Sequence, residues 1–106
     1  MTRLFAFAMV LLATSPALAA EISYTRQATP AEVAAIRKAV PDLIKQAESM
    51  PPWTAWAADG PDGKVAVRIE GQAVCGSMVG CPAFVIVKGK VTWRGMQGET
   101  ADWPQP

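Results

Sequence analysis

Lys64-Val65-Ala66-Val67-Arg68-Ile69-Glu70 decides the fold class of this chain. Val65, Val67 and Ile69 fall on one side of an extended backbone, and Ala66 and Arg68 on the other. That period of two predicts a strand with one apolar and one wet face. Before it, Asp59-Gly60-Pro61-Asp62-Gly63 is a dense turn signal. Residues 53–58, aromatic though rich in alanine, read as the strand on the far side of that turn. After it, a loop over 71–81 leads to residues 83–87, which are apolar on both faces and therefore predict a central strand. Lys88-Gly89-Lys90 then turns the chain back into a strand over 91–94.

Upstream lies the helical part. Thr29 is a cap, Pro30 suits the first helical position, and Glu32 completes a capping box. Val33, Ile36, Val40, Leu43, Ile44 and Ala47 follow at steps of three and four, one apolar stripe. Pro41 interrupts it without a donor N–H, so the helix kinks there or restarts as a second, abutting helix. Ile22 and Tyr24 alternate in the lead-in over 21–28, as in an edge strand, and residues from about 96 to 106 read as a loose tail. The predicted fold is α+β: one N-terminal, Pro-kinked helix packed on an antiparallel meander of three to four strands.

A length of 106 residues allows one domain. Arg3, the apolar run 4–13 and Ala17-Leu18-Ala19 have the layout of a secretory leader cleaved after residue 19. The single domain is then 20–106, and an apolar run this short does not span a bilayer. No membrane insertion is expected after cleavage, and the expected location is the periplasm or the medium. The chain holds ten Lys and Arg against nine Asp and Glu; losing Arg3 leaves nine of each. A near-neutral surface lacks the basic footprint that nucleic acid requires. Histidine is absent, which excludes imidazole as base or metal ligand.

Cys75-Gly76-Ser77-Met78-Val79-Gly80-Cys81-Pro82 carries the most chemistry. Two cysteines in an exported chain predict a disulfide, Cys75 to Cys81, with glycines turning the backbone inside it. So small a ring contributes about 2 kcal/mol of chain entropy. Its use is then to fix the tip, Ser77, Met78 and Val79. A copper reading competes, with Cys75, Met78 and Cys81 as soft ligands and Met50 or Met96 assisting. A redox role is disfavoured, because oxidoreductase pairs are usually two residues apart and here five intervene.

Other constellations carry less. Trp56 and Trp93 are expected in the core, and Trp53 and Trp103 at the surface. Lys64, Arg68, Lys88, Lys90 and Arg94 would share the wet sheet face or its hairpin end. Asp59 and Asp62 fit a turn better than a calcium loop, since the sixth position is Lys64 where glycine is needed. Carboxylates and serines are not spaced for catalysis, so no enzyme and no cofactor are expected. The expected function is binding of a protein partner through Ser77, Met78 and Val79, with Arg68 and Arg94 on the adjoining face. Alternatives are a copper-handling protein and a structural accessory subunit that docks by the tail around Trp103.

Overall fold

The computed structural model describes residues 21–98 and 101–104; the expected leader, 1–19, lies outside the described residues. In chain order the elements are β1 (Arg26–Gln27), α1 (Pro30–Ala39), α2 (Pro41–Glu48), β2 (Trp53–Asp59), β3 (Val65–Gly71), β4 (Cys81–Val87) and β5 (Lys90–Gln97). The architecture is α+β, with a five-stranded sheet in the order β1-β2-β3-β4-β5, every pair antiparallel.

The capping box forms as the sequence implies. The Glu32 backbone N–H donates to Thr29 Oγ1 at 3.1 Å, and the Thr29 N–H donates to Glu32 Oε1 at 2.8 Å. Val40, at φ −137° and ψ 77°, leaves helical geometry immediately before Pro41. The expected single kinked helix is therefore two helices, because the residue before a proline is pushed out of the α region. A strand also precedes them, so the helical pair is not the N-terminal element. The stripe is intact across the break: Ile36, Ile44 and Ala47 are buried, with Val33, Val40 and Leu43 packed around them.

Register decides which side chains meet the helices, since paired residues share a face. Ala57 opposes Val67 and Val67 opposes Phe84, while Ala55 opposes Ile69 and Val65 opposes Ile86. These residues form one core cluster with the helical stripe. Small alanines on β2 leave room for the larger Ile and Phe side chains beside them.

The sheet exceeds the expected three to four strands. The lead-in pairs as β1, Arg26 to Ala57 and Gln27 to Trp56. β5 runs through Gln97, three residues beyond the expected end and into the segment read as a tail. The far part of that tail is tied down as well: the Ile22 N–H donates to the Ala101 carbonyl at 2.8 Å, and Glu21 bridges Asp102.

The sheet face opposite the helices is not wet. Ala58 and Ala66 are buried there with Ile22, and Tyr24 and Trp103 pack against them. Arg68 is also buried, at 8% exposure. Two segments distant in sequence thus form a thin second layer over the β2–β3 surface. Trp53 correspondingly joins the helix-side core and Trp103 the second layer, reversing their expected surface positions.

Candidate functional site

Two features lie at one end of the sheet, where β3 ends and β4 begins. The first is a disulfide-closed hairpin. Cys75 and Cys81 are bonded across a separation of six residues. Inside that ring the Gly76 N–H donates to the Gly80 carbonyl at 2.8 Å, and the Gly80 N–H returns the bond at 3.0 Å. Gly80 adopts φ +89°, the left-handed region open to glycine. Ser77, Met78 and Val79 form the exposed tip; Met78 is 94% exposed and Val79 59%. Methionine is among the residue types most often buried, so a side chain this fully in water stands out.

The other exposed large apolar residues belong to the same end. Met50 precedes the start of β2, which pairs with the end of β3, and Met96 opposes Pro82 beside the disulfide. Among the described residues the exposed large apolar side chains are therefore gathered at this end of the sheet.

The second feature is a polar cluster beneath the hairpin, on the face away from the helices. Arg68 Nη1 donates to the Glu70 carboxylate, and Nη2 points at Cys81 Sγ, 3.5 Å away. Nε of Arg68 is buried and has no hydrogen-bond partner among the described residues. Beside it the Tyr24 hydroxyl donates to Gln97 Oε1 at 2.9 Å. Burial pushes the Tyr24 phenol up to about 12, partly opposed by the positive charge of Arg68. Glu21, Tyr24, Trp56, Arg68 and Glu70 border a shallow cleft of about 380 Å³ on this face.

The predicted site residues divide accordingly. Ser77, Met78 and Val79 stand together, exposed, at the hairpin tip. Arg68 and Arg94 do not: Arg68 opposes Ala83 and Ala83 opposes Gly95, so Arg94, one residue away, points to the helix side with Phe84. Arg94 is exposed and Arg68 is buried, so no shared basic face exists. Lys64, Lys88 and Lys90 lie at the opposite end, around the turns. In the disulfide neither sulfur is a thiolate, so the copper arrangement of Cys75, Met78 and Cys81 belongs only to a reduced chain. Trp56, expected in the core, is instead half-buried at the border of this cleft, and the sequence alone assigns Tyr24, Glu70 and Gln97 no place in a site. The i, i+2 spacing of Arg68 and Glu70 was the one local signal, since it puts both on one face of a strand.

Comparison with protein-family models, with curated proteins and with solved structures gives no match. Among the described residues no helix is long and apolar enough to cross a membrane. The disulfide is compatible with an exported protein.

Proposed function

We propose that this is an exported, non-catalytic binding protein whose contact element is the tip Ser77-Met78-Val79, docking on another protein. One observation carries the reading: Met78 is 94% exposed at the apex of a hairpin held by a disulfide and a reciprocal pair of backbone hydrogen bonds. A tip that is already ordered loses little conformational freedom on docking, which favours affinity from a small contact. Methionine suits such a contact because its thioether adapts to uneven apolar surfaces. Met50, Val79 and Met96 extend the apolar surface around it.

Arg68 has no direct part in this contact, since it lies under the second layer. Arg94 remains a rim candidate from the helix side. The accessory-subunit alternative relies on a free Trp103, and that ring is engaged within its own domain.

The test is capture of partners from the exported fraction of the producing cells, followed by repetition with M78D and V79S. A partner retained by the wild type and lost from both variants, with unchanged thermal midpoints, supports the tip. Equal capture by wild type and variants removes it from the argument.

A further inference from the structure

We infer that the Cys75–Cys81 bond is a thiol–disulfide exchange site, in which Cys75 is the sulfur attacked and Cys81 the thiolate released onto Arg68. This goes beyond the binding role and does not depend on what the tip binds.

Burying Arg68 is costly. A guanidinium at 8% exposure needs compensation for its lost hydration. Among the described residues it has one carboxylate, Glu70, whose side chain is 39% exposed, while Nε goes unpartnered. Its remaining contact is Nη2 to Cys81 Sγ at 3.5 Å, and a disulfide sulfur is a weak, neutral acceptor. A structural disulfide gains little from a cation placed there. A thiolate gains a full ion pair in a dry setting, where charge-assisted bonds are strongest. The oxidised chain thus keeps a ready partner for an anion that exists only after reduction.

The two sulfurs are not equivalent. Cys81 is buried at 6% exposure, whereas Cys75 is partly open to solvent. Cys75 Sγ accepts from the Gly71 N–H at 3.4 Å and lies 3.6 Å from the Ile69 carbonyl oxygen. A donor on one side and an acceptor on the other suit a neutral thiol, which both accepts and donates. Cys81 faces the cation and suits the thiolate. Exchange rates rise as the leaving sulfur becomes more acidic and as the attacked sulfur becomes accessible, and both conditions select the same direction of opening.

The step balances with an external dithiol as reductant. One thiolate of the dithiol attacks Cys75 Sγ, a new S–S bond forms there, and the Cys75–Cys81 bond breaks with its electron pair on Cys81. The second thiol of the reductant then attacks the mixed disulfide. Cys75 leaves and takes a proton, and the dithiol departs as its own disulfide. Two electrons pass to the protein, and Cys81 remains a thiolate paired with Arg68.

The experiment follows iodoacetamide alkylation against pH in folded C75S, which leaves Cys81 as the lone thiol, and in folded C81S, which leaves Cys75. Cys81 should react with a midpoint about one pH unit or more below the usual 8.5, and Cys75 should not. In C75S carrying R68Q the midpoint should return to about 8.5, and with R68K it should stay low. In glutathione redox buffers R68Q should favour the disulfide about tenfold more than the wild type, equivalent to about 30 mV. Mixed disulfides trapped during reduction by glutathione should map to Cys75. Should R68Q fail to fold, C75S in buffer against C75S in urea still decides the matter. A folded midpoint for Cys81 no lower than its midpoint in urea overturns the inference, as does glutathione trapped on Cys81.

Discussion

The indole of Trp103 lies flat against Gly60, so that a Cβ placed on Gly60 would stand 2.5 Å from the ring. The contact ties the C-terminal segment to the end of the β2 strand, where Ile22, Ala58 and Ala66 are buried. It also makes glycine necessary for reasons of space, not of backbone angle. Trp103→Ala should cost about 2 kcal/mol, below the roughly 3–5 kcal/mol of a fully buried indole, because Trp103 is only half-buried. Gly60→Ala should be destabilising in the wild type and nearly neutral once Trp103 is alanine. Urea midpoints of the two single variants and the double variant measure that coupling, expected at about 1 kcal/mol. Strict additivity would mean that the two residues do not meet.

Gly80 presents a different necessity. Its φ of +89° resembles those of Gly63, at +75°, and Gly89, at +78°. A Cβ at Gly63 or Gly89 would meet open space, whereas one at Gly80 would overlap the Gln97 carbonyl and the Gly98 nitrogen. Alanine at Gly63 or Gly89 should therefore cost only the left-handed strain, about 1 kcal/mol. Alanine at Gly80 should add about 1–3 kcal/mol of overpacking. Thermal denaturation of the three variants orders them, and a Gly80 variant no worse than the others would separate the hairpin from the end of β5.

Legibility followed the distance over which information acts. Thr29 with Glu32, the stripe from Val33 to Ala47 and the alternation of Val65, Val67 and Ile69 are local patterns, and each forms as read. The pairing of the two cysteines followed from their count. The second layer did not follow. Ala66 and Arg68 look like solvent-facing positions because their cover, Ile22, Tyr24 and Trp103, comes from the two ends of the domain. Arg94 looked equivalent to Arg68 because both sit in strands beside apolar residues; only the β4–β5 register reveals their opposite faces. The same register turns Gly95, Met96 and Gln97, polar or flexible on paper, into strand. The hairpin tip was legible because two cysteines and two glycines specify it within seven residues, whereas the cation beneath it arrives from β3.

Acid should loosen the start of α1. Arg26 grips Glu32 with two hydrogen bonds of 2.9 Å and reaches both carboxylate oxygens of Asp59, joining β1, α1 and β2. Hydrogen bonding to Arg26 holds the Glu32 carboxyl below its ordinary value near 4.5, against the upward push of burial, with the Thr29 N–H helping. Asp59 is lowered by the same guanidinium. A folded carboxyl that binds its proton more weakly than the unfolded chain stabilises the fold above the unfolded pKa. That contribution disappears as pH falls through the lower folded value. Stability measured from pH 6 down to about 2 should decline below about 4.5 in the wild type, and less steeply in R26M. Thr29→Ala should cost about 1 kcal/mol at neutral pH through the lost cap. Parallel acid profiles for wild type and R26M would show that the network contributes nothing.

Alkali should act through Tyr24. This is the one tyrosine of the chain, so absorbance at 295 nm follows a single phenol. Burial on the second face raises its pKa from 10.0 to about 12, with Arg68 pulling the other way, and its hydroxyl is committed to Gln97. The folded phenol holds its proton more tightly than the unfolded one, so its contribution is whole below pH 10 and is lost as pH rises toward 12. The titration midpoint should lie near 12 in buffer and near 10 in urea. Y24F should be less stable than wild type at neutral pH by about 1–2 kcal/mol, because Gln97 Oε1 loses its donor while staying buried. The same variant should lack the alkaline decline, so the two stability curves converge as pH climbs. A folded midpoint near 10 would place the hydroxyl in water and break its hydrogen bond to Gln97.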